Sequence, residues 1–241
     1  MEKKIAIVTG GFKGNGKAIV SRFLSEGFKV YSLDIRYKKN NFNKGSLIEF
    51  KINLEKPLEI KKIINIIKKK EKFIDVLVNN AGISLKQNKS NYLDIWNKTI
   101  SINLTAVYLI SIYCLSHLKK SKTPSIVNIS SLNGKLGMSN NPSYNSSKGG
   151  VSALTLSQAI DFSKFGIRVN CVSPGYIRTD MTKNSFNNKK EFKKRINRMM
   201  LKKYGSPEDI ANSVFFLTSD KAKYINATEI VVDGGLLKKG I

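Results

Sequence analysis

The sequence predicts an α/β fold, a doubly wound parallel sheet of about seven strands with helices on both faces. Short apolar runs alternate with longer amphipathic stretches along the whole chain, and glycine-rich or polar turns follow the runs. Such alternation implies a parallel sheet with crossover helices. The length of 241 residues and the 41% hydrophobic content fit one large domain over residues 1–241.

The elements follow from the period of the apolar residues. Apolar runs predict strands over residues 4–9, 28–33, 47–52, 74–78, 125–129, 167–172 and 229–232. Amphipathic patterns predict helices after the first strand, over 57–70, over 91–120, around Tyr144 and over 207–216. Ser206 is the expected N-cap of the last helix, with Glu208 and Asp209 in its first turn.

A glycine-rich turn from Gly10 to Gly16 joins the first strand to the first helix. Glycines let the backbone approach a pyrophosphate, and the first amides of the helix supply hydrogen bonds and a positive dipole end. The second strand ends in Asp34, at about the distance where a carboxylate binds the adenosine ribose hydroxyls. Together these features predict dinucleotide binding at the carboxyl ends of the strands.

Tyr144 and Lys148 form the candidate proton-transfer pair. A spacing of four residues on a helix puts both side chains on one face. A phenol titrates near 10 when left alone, and a neighbouring ammonium favours the phenolate, so Tyr144 could exchange a proton with an alcohol or a carbonyl. The spacing is weak by itself in a lysine-rich chain, and it gains weight because the helix starts beside the predicted crevice.

Seven short motifs carry a family resemblance. They are TGGFKGNG at 9–16, NNAG at 79–82, Asn103 in SINLTA, Ser131 in IVNISS, YNSSK at 144–148, RVN at 168–170 and PGYIRT at 174–179. In this order they resemble the short-chain dehydrogenase/reductase family, including its 3-oxoacyl-carrier-protein reductases and sugar dehydrogenases. The resemblance covers essentially the whole chain and implies an NAD(P)-binding Rossmann fold that interconverts a secondary alcohol and a ketone by hydride transfer.

The resemblance implies four catalytic residues. Tyr144 would be the general acid/base, and Ser131 would donate to the substrate oxygen as charge develops there. Lys148 would bind the nicotinamide ribose and, together with the positively charged oxidised ring, lower the pKa of Tyr144. Asn103 would hold a water that connects Lys148 to solvent.

The resemblance also implies a cofactor contact set along the carboxyl ends of the strands. Its members are Gly10, Phe12, Lys13, Asn15, Gly16, Asp34, Asn53, Leu54, Asn80, Ala81, Gly82, Tyr144, Lys148, Pro174, Gly175, Ile177 and Thr179. The substrate would meet Ser131, Asn133, Tyr144 and Tyr176. Two departures stand out, because Asn53-Leu54 replaces the usual aspartate after the third strand and the family pattern does not explain Phe12 or Asn15.

Asp34 favours NAD over NADP. Its carboxylate can accept hydrogen bonds from both ribose hydroxyls and would repel a 2′-phosphate. Lys13, Arg36 and the lysine pair at 38–39 could instead pair with that phosphate, so NADP remains a possible cofactor.

The net charge of +25 does not by itself predict a nucleic-acid partner. Lysines fall on almost every helix and loop alongside many asparagines, which indicates a compositional drift instead of one binding face. The densest basic stretch lies inside residues 180–204, a candidate cap that either closes over an anionic substrate or is a solvated face. Lys119, Lys120 and Lys122 form a smaller basic group that could meet an acidic carrier protein.

The remaining expectations concern location, metal and assembly. Cys114 and Cys171 lie in apolar stretches and predict buried thiols with no metal site. No apolar run is expected to reach membrane-spanning length, and no signal peptide is evident, which predicts a cytoplasmic protein. A homo-oligomer, most simply a tetramer, follows from the family resemblance and from surplus apolar residues on the helices. Those residues are Ile102, Leu109, Ile112, Tyr113 and Leu154.

Three functions remain open at this point. The first is oxidation or reduction of a small polar molecule such as a sugar or sugar acid, because Asn133, Ser84 and Tyr176 could meet hydroxyls. The second is a 3-oxoacyl-carrier-protein reductase. The third is a catalytically idle basic binding protein, against which the intact Ser131, Tyr144 and Lys148 argue.

Overall fold

The computed structural model describes residues 3–38, 42–86, 91–137, 139–182 and 189–239, without the side chains of 42–44 and 189–191. Its strands are β1 Ile5–Thr9, β2 Lys29–Asp34, β3 Phe42–Lys44, β4 Leu47–Lys51, β5 Val76–Asn79, β6 Ser125–Ile129, β7 Arg168–Pro174 and β8 Glu229–Val232. They form one sheet in the order β3-β4-β2-β1-β5-β6-β7-β8. Seven strands are parallel, as predicted.

The unpredicted eighth strand is β3, a three-residue edge strand antiparallel to β4. Its sequence, Phe-Asn-Lys, has no apolar run from which a strand could be predicted. It is joined to β4 through a turn in which Gly45 adopts a φ of 66°. An antiparallel neighbour needs only such a tight turn, whereas a parallel one needs a crossover.

Within the described ranges seven helices surround the sheet. They are α1 Gly14–Ser25, α2 Pro57–Lys70, α3 Tyr92–Ile100, α4 Ala106–Leu118, α5 Pro142–Ser163, α6 Lys189–Arg198 and α7 Pro207–Thr218. A π-helical turn at Ser101–Thr105 interrupts the single helix predicted over 91–120. The predicted N-cap is confirmed, because Ser206 Oγ accepts from the Asp209 amide and the Asp209 carboxylate accepts from the Ser206 amide.

Each face of the sheet has its own apolar core. On one face α2, α4 and α5 pack on the sheet through residues such as Ile64, Ile110 and Phe162. On the other face α1 and α7 pack through residues such as Phe23 and Val214. Strands covered on both sides are apolar throughout, which is why the central strands read as continuous apolar runs.

The helical segment Tyr92–Leu118 is long and apolar enough to cross a membrane by length and composition, and an 18-residue window within it has a mean hydropathy of 1.6. The expectation that no apolar run reaches this length was therefore wrong. Ala106, Ile110, Cys114 and Leu118 on this segment are buried in the core against the sheet. A helix that packs one face on a core and leaves apolar residues on the opposite face has this composition without spanning a lipid bilayer.

The carboxyl ends of the parallel strands meet at one edge of the sheet. The strand order reverses between β1 and β5, which is where ligands bind in doubly wound folds. Asn80, directly after β5, donates through Nδ2 to the Thr9 carbonyl at the end of β1 over 2.9 Å. The Asn80 side chain thus ties the two strand ends together beside the glycine turn.

Candidate active site

The predicted proton-transfer pair lies at the start of α5. Lys148 is buried, and its Nζ donates to the Ile129 carbonyl at the end of β6 over 2.7 Å. The same Nζ lies 5.9 Å from the centre of the Tyr144 ring. Ser130 fixes the helix to the sheet because its Oγ donates to the Lys148 carbonyl over 2.7 Å.

Ser131 lies beside this pair. It follows β6 and precedes the 3-10 turn Leu132–Gly134, and its Oγ accepts from the Asn133 amide over 3.2 Å. The Ser131 side chain also hydrogen-bonds to the Tyr144 phenol. The structure therefore brings together Ser131, Tyr144 and Lys148, as the sequence predicted.

Asn103 sits in the π-helical turn and is fully buried. Its Oδ1 accepts from the Ile83 amide over 2.8 Å, and its Nδ2 donates to the Ile83 carbonyl and to Ser147 Oγ. These bonds tie α5 to the segment after β5. These contacts clamp two chain segments together, and the predicted role of Asn103 in holding a water stays a prediction.

Burial shifts the pKa values of both groups of the pair. It raises the pKa of the Tyr144 phenol, and the hydrogen bond from Ser131 opposes that shift. It lowers the pKa of the Lys148 ammonium from 10.5 to about 8, with a smaller opposing effect from Cys171. The expected lowering of the Tyr144 pKa is therefore corrected to a rise, because desolvation of the phenolate outweighs the favourable interactions at this site.

The glycine turn is packed too tightly for side chains. A Cβ on Gly16 would lie 2.0 Å from the Gly10 carbonyl oxygen, and one on Gly11 would lie 2.0 Å from Ser32 Oγ. Gly10 itself has a φ of 69°, a region that other residues rarely adopt. The backbone of this turn is thus bare at the start of α1, as phosphate binding requires.

Asp34 is held in place by backbone amides. Its carboxylate is 7% exposed and accepts from the Phe12 amide over 3.2 Å and from the Arg36 amide over 3.0 Å. Lys13, predicted to compete with Asp34 for the cofactor, forms an ion pair with Asp180 over 2.8 Å. Of the other basic competitors, Arg36 and Lys38 are exposed and residue 39 lies outside the described residues.

Phe12 gains an explanation that the sequence did not provide. Its ring is 44% exposed and packs edge-on against Tyr37, with 5.5 Å between ring centres. Tyr37 is buried and shares a hydrogen bond with Ser32 Oγ over 2.6 Å. Sequence reasoning missed Tyr37, although an aromatic residue three positions after Asp34 was a signal. Asn15 is still unexplained, since its Oδ1 is buried with no hydrogen bond to the described residues.

Asn53 and Leu54, the residues after β4, make contacts within the protein. Leu54 is buried in the apolar core of the α2 face. Asn53 accepts through its Oδ1 from the Glu55 amide over 3.0 Å, which closes a local turn. The contact of this pair with the adenine stays a prediction.

The loop after β7 approaches the glycine turn. A Cβ on Gly14 would lie 3.5 Å from the Thr179 side chain, and Ile177 is buried beneath the loop. Gly175 after Pro174 lies against Asp233, where a Cβ would come within 2.6 Å of the Asp233 Cβ. The predicted cofactor residues on both sides of the crevice are thus close in space.

The residues present fit a dinucleotide. A Cβ on Gly82 would lie 3.4 Å from both Asn103 Oδ1 and Lys148 Nζ, so the missing side chain leaves the approach to the ammonium open. Asp34 marks one end of the crevice and Tyr144 the other, with the bare glycine turn between them. Such an arrangement can bind adenosine ribose, pyrophosphate and nicotinamide ribose in that order.

Comparison with known proteins agrees with this geometry. The family model described as enoyl-(acyl carrier protein) reductase matches residues 10–237. The chain belongs to the short-chain dehydrogenase/reductase family. It is 36% identical to a 3-oxoacyl-(acyl-carrier-protein) reductase of Buchnera aphidicola, over 98% of each chain.

Two solved structures are similar to this enzyme. The Thermoplasma acidophilum aldohexose dehydrogenase is 32% identical with a TM-score of 0.90, over 98% of this chain and 94% of that one. A 4-hydroxyisoleucine dehydrogenase complexed with NADH is 31% identical with a TM-score of 0.92, over 99% and 100%. The chain is therefore an NAD(P)-dependent oxidoreductase that interconverts alcohol and ketone groups.

Proposed function

We propose that Tyr144 is the general acid/base, supported by its place beside both Ser131 and Lys148. The cofactor supplies or accepts the hydride. The raised pKa keeps the Tyr144 phenol protonated, so it can donate a proton to a carbonyl oxygen as that oxygen becomes negative. Ser131 donates a second hydrogen bond to the same oxygen. In alcohol oxidation the proton moves in the opposite direction.

Lys148 and Asn103 support this step. The buried Lys148 ammonium places a positive charge near the phenol and can donate to the nicotinamide ribose over the bare Gly82. Asn103 keeps α5 fixed to Ile83, and a water beside its Oδ1 would pass protons between Lys148 and solvent. The observation that carries the proposal is the convergence of these four side chains at the end of β6.

The proposed cofactor is NAD. Asp34 is held by two amides where the adenosine ribose must lie, while Lys13 is occupied by Asp180. A structurally similar dehydrogenase was solved with NADH. A 2′-phosphate would have to approach the Asp34 carboxylate, which costs repulsion and desolvation.

The test of this preference is kcat/KM with each cofactor for the wild type and for Asp34→Ala. We expect the wild type to prefer NAD at least 10-fold, about 1.4 kcal/mol, and Asp34→Ala to lose most of that preference. A wild-type preference for NADP, or no relative gain for NADP after removal of the carboxylate, would show that the basic residues decide.

The proposed substrate is a small polar carbonyl compound or alcohol that carries hydroxyl or anionic groups, such as a sugar or sugar acid. Ser84 and Asn141 form a polar rim, joined by a hydrogen bond of 2.7 Å. Tyr176 lies under the guanidinium of Arg195, 4.9 Å from its ring centre, so the other rim is cationic. An aldohexose dehydrogenase among the similar structures supports this class.

A second candidate is a 3-oxoacyl thioester on an acyl carrier protein, favoured by the relative from Buchnera aphidicola. Lys119, Lys120 and Lys122 lie at the opposite end of β6 from the site, because they precede β6 and Ser131 follows it. Five strand residues separate these ends by about 17 Å. The basic residues of α6, on the same edge as Tyr144, are the group that could guide it.

A substrate panel decides between the two. It contains 5-ketogluconate with NADH, glucose with NAD⁺ and acetoacetyl-coenzyme A with NADH or NADPH. We expect turnover of the sugar derivatives to exceed that of the thioester. The reverse order would establish the second candidate, and no turnover of any compound would contradict this substrate proposal.

The proposed assembly is a homotetramer in the cytoplasm. Support for self-association comes from exposed apolar side chains on α4 and α5, whose opposite faces pack on the sheet. Among them are Tyr108, Ile112, Leu156 and Ile160. Of the five residues expected to supply this surface, Ile112 is exposed, while Ile102, Leu109, Tyr113 and Leu154 are partly buried.

A further inference from the structure

An ion pair outside the catalytic group holds the turn that carries Ser131. Lys135, directly after this turn, places its Nζ 2.9 Å from Glu229 Oε2. Glu229 is the first residue of β8 and lies nearly 100 positions further along the chain. The pair therefore links the segment after β6 to β8, two strands away in the sheet.

The Glu229 carboxylate is fixed by its surroundings. Its side chain is 18% exposed. Its second oxygen accepts a hydrogen bond from Oγ of Ser173, a fully buried residue of β7. A carboxylate with so little contact with water needs a cation or hydrogen-bond donors to remain charged. Lys135 is the cation that forms an ion pair with this carboxylate among the described residues.

The opposite side of the turn is fixed by the catalytic helix. A Cβ on Gly134 would lie 2.8 Å from the Gly149 nitrogen and from the Lys148 carbonyl carbon. The turn is thus confined between α5 and the Lys135–Glu229 pair. A shift at Lys135 would move the Asn133 amide, which donates to Ser131 Oγ.

We propose that Lys135 and Glu229 are positioning residues that aim the Ser131 hydroxyl at the reacting oxygen. This inference rests on the proposed function of Ser131. The Asn133 amide occupies one acceptor direction of Ser131 Oγ, which leaves the hydroxyl proton for Tyr144 or the substrate. If the ion pair is broken, the turn loses its outer attachment and the direction of that proton is no longer fixed.

Loss of the ion pair should affect the chemical step and not cofactor binding. A misaligned donor weakens stabilisation of the transition state and lowers kcat, whereas cofactor affinity depends on the glycine turn, Asp34 and Lys148. A pair that served stability alone would change the unfolding temperature and leave kcat unchanged. The division between kcat and cofactor affinity therefore separates the two roles.

The test compares Lys135→Met, Glu229→Gln, the double variant and Lys135→Arg with the wild type, using the panel compound that the wild type turns over fastest. We expect each single neutral variant to lower kcat about 10-fold, since small misplacements of reacting groups cost up to about 100-fold. The dissociation constant of NADH, measured by fluorescence, should stay within about twofold. The double variant should be no slower than the slower single one, and Lys135→Arg should restore most of the rate.

A second measurement does not depend on activity. Hydrogen exchange of the amides at 133–136 in the protein without ligands should quicken in Lys135→Met and recover in Lys135→Arg. Lys69→Met, at an exposed lysine near the end of α2, is the matched control and should change neither exchange nor kcat. Lys135→Met is the deciding variant because it removes the more exposed partner of the pair.

The outcomes separate this inference from the proposed function. An unchanged kcat in Lys135→Met, or additive losses in the double variant, would overturn it. If the wild type turns over none of the panel compounds, the proposed substrates fail, and hydrogen exchange alone then decides whether the pair holds the turn. Unchanged exchange would overturn the inference in that case as well.

Discussion

At the scale of single residues, Tyr144 gives the sharpest expectation. Tyr144→Phe removes the hydroxyl that hydrogen-bonds to Ser131 and leaves Lys148 and its bond to Ile129 in place. We expect turnover to fall at least 100-fold, since positioned acid–base groups supply about that factor, while NADH still binds. Steady-state rates and fluorescence titration measure the two quantities. Tyr224→Phe, at a fully exposed tyrosine, is the control.

A Tyr144→Phe variant that retained more than about a tenth of wild-type turnover would remove Tyr144 from the catalytic step. Loss of NADH binding in that variant would point instead to a role in the cofactor site. Ser131 would then be the first residue to test as the proton donor.

The buried Lys148 ammonium should lower the free energy of unfolding of the protein. Its pKa is lowered from 10.5 to about 8, which corresponds to about 3 kcal/mol against the charged form at neutral pH. Lys148→Met removes that penalty and also the bond to Ile129, so we expect the free energy of unfolding at pH 7 to rise by about 1–2 kcal/mol. Turnover should be lost in the same variant.

The pH dependence follows from the direction of this shift. Between about pH 8 and 10.5 the unfolded chain holds more protons on Lys148 than the folded protein does, so wild-type stability from this group rises with pH. The advantage of Lys148→Met should therefore shrink across that window. Denaturant unfolding of both proteins at several pH values measures it, and an advantage that stays constant with pH would contradict the assignment.

At the scale of elements, the segment predicted as a cap proves to contain a regular helix. Residues 183–188 lie outside the described residues, while α6 follows them directly. Near its end Met199 is buried, and it forms a small apolar cluster with Leu132 and Leu236. These apolar contacts anchor the segment next to the turn that follows Ser131. Closure of the segment over the site stays a prediction.

Neutralising four lysines of the α6 sequence tests whether this helix attracts an anionic substrate. The variant replaces Lys189, Lys190, Lys193 and Lys194 by glutamine. We expect KM to rise several-fold for 5-ketogluconate, with a smaller effect at high salt and little change for uncharged glucose. Steady-state kinetics at two ionic strengths measure this.

The matched control removes the same number of charges at the opposite edge of the sheet. It replaces the exposed residues Lys69, Lys72, Lys120 and Lys122. Equal effects in both variants would show that only the net charge matters. An unchanged KM in the α6 variant would mean that these lysines are merely solvated.

At the scale of the whole molecule, the apolar surface of α5 should join subunits. Leu156 is 51% exposed and Ile160 is 74% exposed, on a helix whose opposite side packs on the sheet. We expect light scattering to give about four times the chain mass of 27.0 kDa, and Leu156→Asp with Ile160→Asp to reduce it.

Leu58→Asp is the control for that experiment. Leu58 is 83% exposed and lies on α2, so it tests whether any loss of surface apolarity changes the mass. A wild-type monomer at micromolar concentration would contradict the assembly. A mass below that of a tetramer that drops further in the α5 variant would keep the interface and change the stoichiometry.

Asn103 and Ser131 became catalytic candidates through the family resemblance, whereas the sequence by itself determined the parallel sheet, the glycine turn and the spacing of Tyr144 and Lys148. These depend on local patterns, because a strand buried on both faces must be apolar and a helix places residues four apart on one face. The short strand β3 was missed for the same reason, since its residues follow no such pattern. The π-helical turn around Asn103 was also invisible, because its neighbours read as ordinary helix.

Only the tertiary structure decided which distant residues pair with one another. Lys13 pairs with Asp180, Asn103 clamps Ile83, and Lys135 reaches Glu229, and each pair lies 20 or more positions apart in the chain. The direction of the Tyr144 pKa shift was also decided by the tertiary structure. Its neighbour Lys148 suggested a lowering, whereas desolvation in the folded crevice raises it. Burial and long-range contacts arise only when the chain is packed, so spacing alone could not give their sign.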